Sequence, residues 1–279
     1  MMMQLIKKIY RKLPDKLKLF LLSIYDKIYK VAQYQTIHKA VMKKIKRLLQ
    51  ENTVDNIKPF NKSLWKLDPI FTQYYSGYYC GKRVFCKVSE KENYGCIVRE
   101  ANALKYIKEN STVLDRMFAR CHMVIQDEEF DIIVTDYLDG VPLDKMVNRL
   151  DVKKVYEEMQ KMLVEFKRLG IIHMDIRPSN IMYDRNRNEV KVFDLGLTYV
   201  KKHKEDCIYK NMCLPEKLTG IGCHRYNPYS DQFDDAYAVL QTLKDVYFDF
   251  KKDYKEEWMK LNLMIGAWSI RLSSEKKKQ

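Results

Sequence analysis

The stretch His173-Met-Asp-Ile-Arg-Pro-Ser-Asn180 decides the fold together with Asp194-Leu-Gly196, which follows it closely in the chain. Between these motifs, the short apolar runs Ile181–Tyr183 and Val190–Phe193 flank a polar turn, a pattern typical of a β-hairpin. One motif precedes the hairpin and the other follows it. Because the two strands of a hairpin are antiparallel neighbours, their outer ends meet, and we expect the two motifs to lie side by side.

Three polar side chains stand where these motifs meet. Asp175 and Asn180 belong to the first motif, and Asp194 opens the second. Carboxylate and amide oxygens that converge on one cleft suit Mg²⁺, which prefers hard oxygen ligands and keeps waters or phosphate oxygens in its shell. The same residue types also cap turns, but their order along the chain favours the magnesium site.

A predicted ion pair lies earlier in the chain. Lys87 ends the β-branched and aromatic run Arg83-Val-Phe-Cys-Lys87, and Glu100 lies in the helix predicted from about Ile97. Glu100 shares the apolar stripe of that helix, where an unpaired carboxylate would be costly. A Lys87–Glu100 pair removes that cost and leaves an ammonium group for a phosphate, although an ordinary surface pair is the alternative.

These residues resemble the protein-kinase superfamily. The stretch from His173 to Asn180 is similar to its catalytic loop, and Asp194-Leu-Gly196 is similar to its metal-binding triplet. Lys87 and Glu100 match its strand lysine and its helix glutamate. The resemblance covers about residues 60–250 and is closest in character to the small bacterial lipopolysaccharide core kinases.

The resemblance implies a role for each matching residue. Asp175 would orient an attacking hydroxyl and accept its proton, while Asn180 and Asp194 would hold Mg²⁺ on the phosphates of ATP. Lys87, fixed by Glu100, would bind the α and β phosphates. Arg177 takes the place of a lysine that commonly meets the γ-phosphate, and His173 would brace the loop.

Further segments match the same family. Thr135-Asp-Tyr-Leu138 resembles the gatekeeper and hinge, so that the backbone at Asp136 and Leu138 would bind adenine. Gly222-Cys-His-Arg-Tyr-Asn-Pro228 is similar to the end of an activation segment. Asp235 takes the place of the aspartate that anchors the catalytic loop.

The sequence also departs from the family pattern. The stretch expected to cover the phosphates, near Lys66–Ser76, has only Gly77 at its edge and no glycine-rich motif. Met174 replaces the arginine that usually receives an activating phosphate, and Tyr229 follows Pro228 where a glutamate is usual. The chain after Asp235 is short for the late helices on which protein kinases bind peptides.

Periodicity and resemblance together predict an α+β protein with a bilobal protein-kinase-like fold. We expect a small β-rich N-lobe over residues 53–139 and a short helical C-lobe over residues 140–279, truncated after the Asp235 helix. A basic amphipathic helical arm is expected over residues 1–52. Two local signals are strong: Cys80-Gly81-Lys82 joins two strands, and Asp151 and Gly170 bound a helix.

Composition excludes several classes. The chain has 279 residues, of which 46% are hydrophobic and 32% are charged, so it is neither disordered nor collagen-like. No apolar run reaches the length of a membrane span, and Pro14 and Asp15 interrupt any signal peptide. The seven cysteines are scattered, which indicates reduced thiols in the cytoplasm. The spacing of Cys207, Cys213, Cys223 and His224 fits zinc poorly.

The basic charge is concentrated in the N-terminal arm. Residues 1–50 hold 13 Lys and Arg residues against Asp15 and Asp26 alone, out of a net charge of +14 for the chain. Basic amphipathic helices suit an anionic membrane surface, so we expect a cytoplasmic protein that can bind the inner face of the membrane. The alternative is an arm packed on the main domain. Nucleic acid is a weaker candidate, because aromatic and basic residues do not alternate.

Three functions follow from the resemblance. The first is an ATP- and Mg²⁺-dependent kinase acting on a sugar hydroxyl of a membrane-associated glycan or glycolipid, favoured by the arm and the short C-lobe. The second is a Ser/Thr protein kinase, favoured by Asp194-Leu-Gly196 and the Gly222–Pro228 segment. The third is a pseudokinase that binds without catalysis, favoured by the missing glycine-rich loop.

Overall fold

The computed structural model describes residues 40–60, 72–91, 96–146, 150–206, 213–214, 224–229, 232–271 and 273–274. The chain forms two compact units, Met1–Thr53 and Val54–Gln279. In the first unit residues 40–51 are helical (α1), and Ile45 and Leu49, one turn apart, are buried. The rest of the predicted arm lies outside the described residues. None of the described helices is long and apolar enough to span a membrane.

The second unit begins with a five-stranded antiparallel sheet in the order β1-β2-β3-β5-β4. Its strands are β1 (Val54–Pro59), β2 (Thr72–Tyr79), β3 (Lys82–Glu90), β4 (Cys121–Gln126) and β5 (Phe130–Asp136). The predicted strands on either side of Cys80-Gly81 are confirmed, with Tyr79 opposite Lys82. Both turn residues have positive φ, 48° at Cys80 and 73° at Gly81, the backbone of a type I′ hairpin turn.

Strand β1 was not predicted from the sequence. This strand is short, polar and mostly exposed, so it lacks the alternation that marks a half-buried strand. Gly77 lies in β2 where β1 comes closest: an added Cβ would stand 2.8 Å from Val54 Cγ1 and 2.9 Å from the Asp55 carbonyl oxygen. The absence of a side chain at Gly77 therefore lets β1 come close enough to β2 to pair with it. Of the stretch near Lys66–Ser76 that was expected to cover the phosphates, residues 72–76 belong to β2 and residues 66–71 lie outside the described residues.

A long helix, α2 (Cys96–Asn110), follows the hairpin, as predicted from Ile97 onwards. Its apolar stripe is buried and includes Ile97, Leu104 and Ile107. The short helix α3 (Thr112–Asp115) then leads into β4. α2 therefore lies between the two halves of the sheet in sequence and carries Glu100 on its buried side.

The second half of the unit is mainly helical. Helix α4 (Val152–Leu169) begins where Asp151 accepts a hydrogen bond from the Lys154 N–H at 3.0 Å, and it ends at Gly170, whose φ is 70°. Both predicted helix ends are confirmed. The remaining helices are α5 (Asp235–Val246), α6 (Phe250–Asp253) and α7 (Lys255–Met264).

Short strands lie before, between and after these helices. They are β6 (Val141–Pro142), β7 (Ile171–Ile172), β8 (Ile181–Asp184), β9 (Glu189–Val192), β10 (Tyr199–Val200), β11 (Cys213–Leu214), β12 (Gln232–Asp234), β13 (Ser269–Arg271) and β14 (Ser273–Ser274). A continuous apolar core joins α2, α4 and α5 and includes Ile107, Met162 and Leu243. The predicted α+β class, with a β-rich first part and a helical second part, is confirmed.

Candidate active site

The β8–β9 hairpin brings the two motifs together, as the sequence predicted. Ile181 pairs with Val192, so Asn180 and Phe193 stand at the open end of the hairpin. The Phe193 N–H donates to the Asn180 carbonyl oxygen at 3.1 Å. Asp194, the residue after Phe193, therefore lies near Asn180, although the two are 14 positions apart in the sequence.

Helix α5 anchors the first motif. One carboxylate oxygen of Asp235 accepts the His173 N–H at 2.7 Å, and the other accepts the Met174 N–H at 3.2 Å. These bonds hold Met174 at φ 69°, a conformation that non-glycine residues rarely adopt. Burial raises the pKa of Asp235 to about 7, against the two N–H groups, which lower it. Asp235 thus holds the loop as its resemblance implied.

His173 braces the loop from inside. Its side chain is fully buried, and burial lowers its pKa to about 4, so the ring is neutral at pH 7. Nδ1 accepts the Asp175 N–H at 3.3 Å, and Nε2 lies 3.2 Å from the Phe193 carbonyl oxygen. The ring proton must then be on Nε2, which donates to Phe193. His173 ties both motifs together without a charge.

Asp175 is buried and held from two sides. Nδ2 of Asn180 donates to its carboxylate at 2.7 Å and to its backbone carbonyl at 2.9 Å. Arg177 Nη2 lies 3.2 Å from the same carboxylate oxygen. Burial, with Asp194 nearby, raises the pKa of Asp175 to about 7, while Arg177 and Asn180 lower it. A carboxyl group with a pKa near neutrality suits a residue that accepts a proton and then releases it.

Lys87 joins the sheet, α2 and the second motif. Its Nζ lies 2.8 Å from Glu100 Oε2 and 2.6 Å from Asp194 Oδ1. The predicted Lys87–Glu100 pair is present in the structure and buried, and Asp194 extends it to a triad. Burial alone would lower the pKa of Lys87, but the two carboxylates raise it well above its usual value.

The pKa values of the two acids of the triad shift in opposite directions. Burial raises the pKa of Glu100 despite the attraction of Lys87, whereas Lys87 outweighs burial and lowers the pKa of Asp194. Asp194 is therefore ionised at pH 7. Its side chain is also 31% exposed, so it can reach a ligand in the cleft.

The oxygen atoms of Asn180 and Asp194 fit Mg²⁺. Both hydrogen bonds of Asn180 to Asp175 use its Nδ2, so its amide oxygen points the other way. Asp194, which is near enough to raise the pKa of Asp175, supplies an ionised carboxylate. Among the described residues no three His, Cys, Asp or Glu side chains could hold a metal by themselves. A Mg²⁺ ion here would take its other ligands from water and phosphate, as it commonly does.

The predicted hinge, Thr135–Leu138, begins with the last two residues of β5. The Asp136 carboxylate lies 2.7 Å from His122 Nε2 and accepts the Arg120 N–H at 3.3 Å. The Arg83 guanidinium lies 3.5 Å from the centre of the Tyr137 ring. Side chains of the sheet therefore fix the hinge. Leu138 is the next residue, and adenine binding by the backbone of Asp136 and Leu138 stays a prediction.

An aromatic cluster that was not predicted from the sequence lies beside the hinge. Phe85 faces the same side of β3 as Lys87, because alternate residues of a strand share a face. Its ring stacks on Tyr74 with centroids 5.6 Å apart and meets Phe60 edge to face at 5.4 Å. Phe60 also reaches the ring of Tyr137 at 6.2 Å. In the sequence, the only sign of this aromatic cluster was that Phe85 and Lys87 are two residues apart in one predicted strand.

Part of the segment that resembles the end of an activation loop is described. Arg225 pairs with Asp245 of α5, and the Tyr226 hydroxyl donates to the same carboxylate at 2.6 Å. A cavity of about 260 Å³ lies between this segment and Pro178 of the first motif. Cys207 and Cys223, which were considered with Cys213 and His224 for zinc, lie outside the described residues.

Comparisons with known proteins identify the family. The protein kinase domain matches residues 72–263. A probable serine/threonine-protein kinase of Dictyostelium discoideum is 25% identical over 58% of this chain and 23% of its own length. The serine/threonine-protein kinase cds1 of Schizosaccharomyces pombe is 24% identical over 68% of this chain and 42% of its own. The chain thus spans less than half the length of these relatives.

The solved structures that are similar to this chain include that of the Cydia pomonella granulovirus kinase PK-1. Its sequence is 20% identical, the match covers 57% of each of the two chains, and the TM-score is 0.44. The family match covers strands β2 to β5 of the sheet, the Lys87 triad, both motifs and helix α5. Since it includes well over half of the 279 residues, the chain belongs to the protein kinase family.

Proposed function

We propose that this chain transfers the γ-phosphate of Mg²⁺-ATP to a serine or threonine hydroxyl of a protein. The observation that carries the proposal is the joined site: Asn180 donates to Asp175, Lys87 pairs with Asp194, and the bond from the Phe193 N–H to the Asn180 carbonyl oxygen brings the two pairs together. A proton acceptor, two oxygen ligands and a cation are the groups that phosphoryl transfer requires.

Each residue has a role that its contacts support. Asp175 accepts the proton of the attacking hydroxyl, and the bonds from Asn180 and Arg177 keep its carboxylate in one orientation. Lys87 is held by Glu100 and places a positive charge beside Asp194, where the α and β phosphates would bind. Arg177, 39% exposed, can turn from Asp175 to the γ-phosphate. Mg²⁺, when bound by Asn180 and Asp194, neutralises charge on the phosphates.

A protein acceptor is better supported than the glycan that the sequence first favoured. The relatives reported above are serine/threonine-protein kinases, and none of them is a lipopolysaccharide core kinase. The cavity between Pro178 and the Arg225–Tyr226 segment gives an acceptor chain a place beside the catalytic loop. A membrane surface for residues 1–50 and a cytoplasmic location rest on composition and charge alone.

The test is transfer of labelled γ-phosphate from Mg²⁺-ATP by the full chain into a host lysate that is then separated into protein and glycolipid. We compare the wild type with Asp175→Asn and with Asp249→Asn, which removes an exposed carboxylate outside the site. Label on serine or threonine that is lost only in Asp175→Asn supports the proposal. Label in glycolipid would establish the glycan kinase instead, and Mg²⁺-ATP binding without any transfer would indicate a pseudokinase.

A further inference from the structure

The turn that carries Asp194 is conformationally strained. Asp194 has φ 69° and ψ 62°, the left-handed region, which costs a non-glycine residue free energy. Such a conformation persists only when its surroundings hold it in place. Lys87 holds the carboxylate of Asp194, but the backbone that follows, the single turn Leu195–Leu197, needs its own contacts.

Helix α2 supplies two contacts to this backbone. The Leu195 N–H donates to the Glu100 carboxylate, which lowers the pKa of that group. Arg99, the preceding residue of α2, donates from Nη1 to the Gly196 carbonyl oxygen at 2.6 Å. Adjacent residues of one helix therefore bind adjacent residues of the turn, Glu100 as acceptor and Arg99 as donor.

Arg99 is an unusual residue for this place. It is only 6% exposed, although an arginine is almost never fully buried unless its donors are satisfied. Its planar guanidinium presents several N–H groups in a fixed geometry, which a lysine does not. Cys96, one turn earlier, lies 3.9 Å from the same nitrogen and packs against Gly196. The N-terminal part of α2 is thus fitted to this turn.

We propose that Arg99 is a positioning residue for Asp194. By donating to the Gly196 carbonyl oxygen, Arg99 keeps the backbone of Asp194 in its left-handed conformation. The Asp194 carboxylate then stays directed at the proposed metal position. Because Arg99 and Glu100 belong to the same helix, a displacement of α2 would release Lys87 and the Asp194 turn together. The inference rests on the proposed function, since it assigns Asp194 to Mg²⁺.

The test compares Arg99→Met with Lys105→Met, which removes a positive charge from the exposed side of the same helix. Amide hydrogen exchange is measured on the full chain without nucleotide. Loss of a charge-assisted hydrogen bond predicts exchange about 10-fold faster in residues 194–198 of Arg99→Met, with β8–β9 unchanged. The Mg²⁺ concentration for half-maximal activity at saturating ATP should rise about 10-fold, with an unchanged KM for the acceptor.

The outcomes separate the two proposals. Exchange that is unchanged in Arg99→Met, or faster by the same factor throughout the chain, would overturn the positioning role and leave the kinase proposal intact. A wild type without turnover would remove the kinase proposal, while the exchange experiment would still test the grip on the turn. If Arg99→Met fails to fold, Arg99→Lys keeps the charge, and faster exchange confined to residues 194–198 is again the expected result.

Discussion

Replacing Lys87 by methionine tests the buried triad. Methionine keeps most of the aliphatic length of lysine but removes the ammonium that Glu100 and Asp194 share at 2.8 Å and 2.6 Å. The Glu100 side chain is 10% exposed, so water cannot replace the lost partner there. Breaking a buried ion pair by removing one member costs about 3–5 kcal/mol, and we expect Lys87→Met to lower the free energy of unfolding by that amount.

Because Asp194 shares Lys87 with Glu100, the effects of substitutions at Lys87 and Glu100 on the free energy of unfolding are not additive. In Lys87→Met the two carboxylates face each other without a cation, and Glu100→Gln removes one of these charges. The double variant should therefore be about 2 kcal/mol more stable than the sum of the two single changes predicts, within the range seen for residues in contact. Lys161→Met is the control, since the exposed pair with Glu158 contributes about 0.5 kcal/mol or less.

The loss in Lys87→Met should also depend on pH. Without the ammonium, the pKa values of Glu100 and Asp194 in the folded state rise above those in the unfolded chain, so protonation stabilises the fold below the unfolded pKa. That stabilisation is lost as the pH rises through the folded pKa, and the cost is larger at pH 8 than at pH 5. Urea denaturation followed by tryptophan fluorescence measures both effects. If the losses in the free energy of unfolding of the two single variants add up to that of the double variant, or if the loss in Lys87→Met does not change with pH, the idea of a triad that shares Lys87 is refuted.

Three further predictions concern the site and the sheet. Because the pKa of Asp175 is raised to about 7 and its ionised form accepts the proton, kcat/KM should rise with pH through about 7 to a plateau; a flat profile from pH 6 to 8 would contradict this. Cys80→Asn should raise the free energy of unfolding by about 0.5 kcal/mol, because asparagine before Gly81 suits a type I′ turn, and thermal denaturation beside Cys80→Val would check the sign. Gly77→Ala should destabilise by about 1–3 kcal/mol in urea denaturation, since its Cβ would meet Val54 and the neighbouring backbone; an unchanged midpoint would place β1 elsewhere.

Local signals explain what the sequence could predict. The hairpin at Cys80-Gly81 and the ends of α4 depend on backbone conformations that few residue types favour, so the residues alone indicate them. The meeting of Asp175 and Asp194 was also predictable, because only a short hairpin separates them. The contact of Lys87 with Glu100 followed from the cost of a carboxylate on an apolar helix face.

Contacts between distant segments were not predictable in the same way. Arg99 and Gly196 are 97 residues apart, and an arginine on a helix gives no sign of the carbonyl it will meet. β1 joins the sheet through the space left by Gly77, which is a property of the packed sheet and not of the β1 residues. The attachment of Arg177 to Asp175 likewise depends on the fold of the loop, although its place in the motif pointed to phosphate.

The charges of the cleft explain why the protein tolerates so many buried ionisable groups. Glu100, Asp194 and Asp175 lie together around Lys87 and Arg177, and burial, with the charge of Asp194 added to it, raises the pKa values of Glu100 and Asp175 despite these cations. Asn180 and Asp194, as the proposed ligands of a divalent cation, would place further positive charge here, and bound ions are often the largest charges in a site. Such a cation would lower the pKa of Asp175 and favour its ionised form. On the proposed function, the negative charge of the cleft would therefore favour a divalent cation, and that cation together with Lys87 would offset the charge of the phosphates.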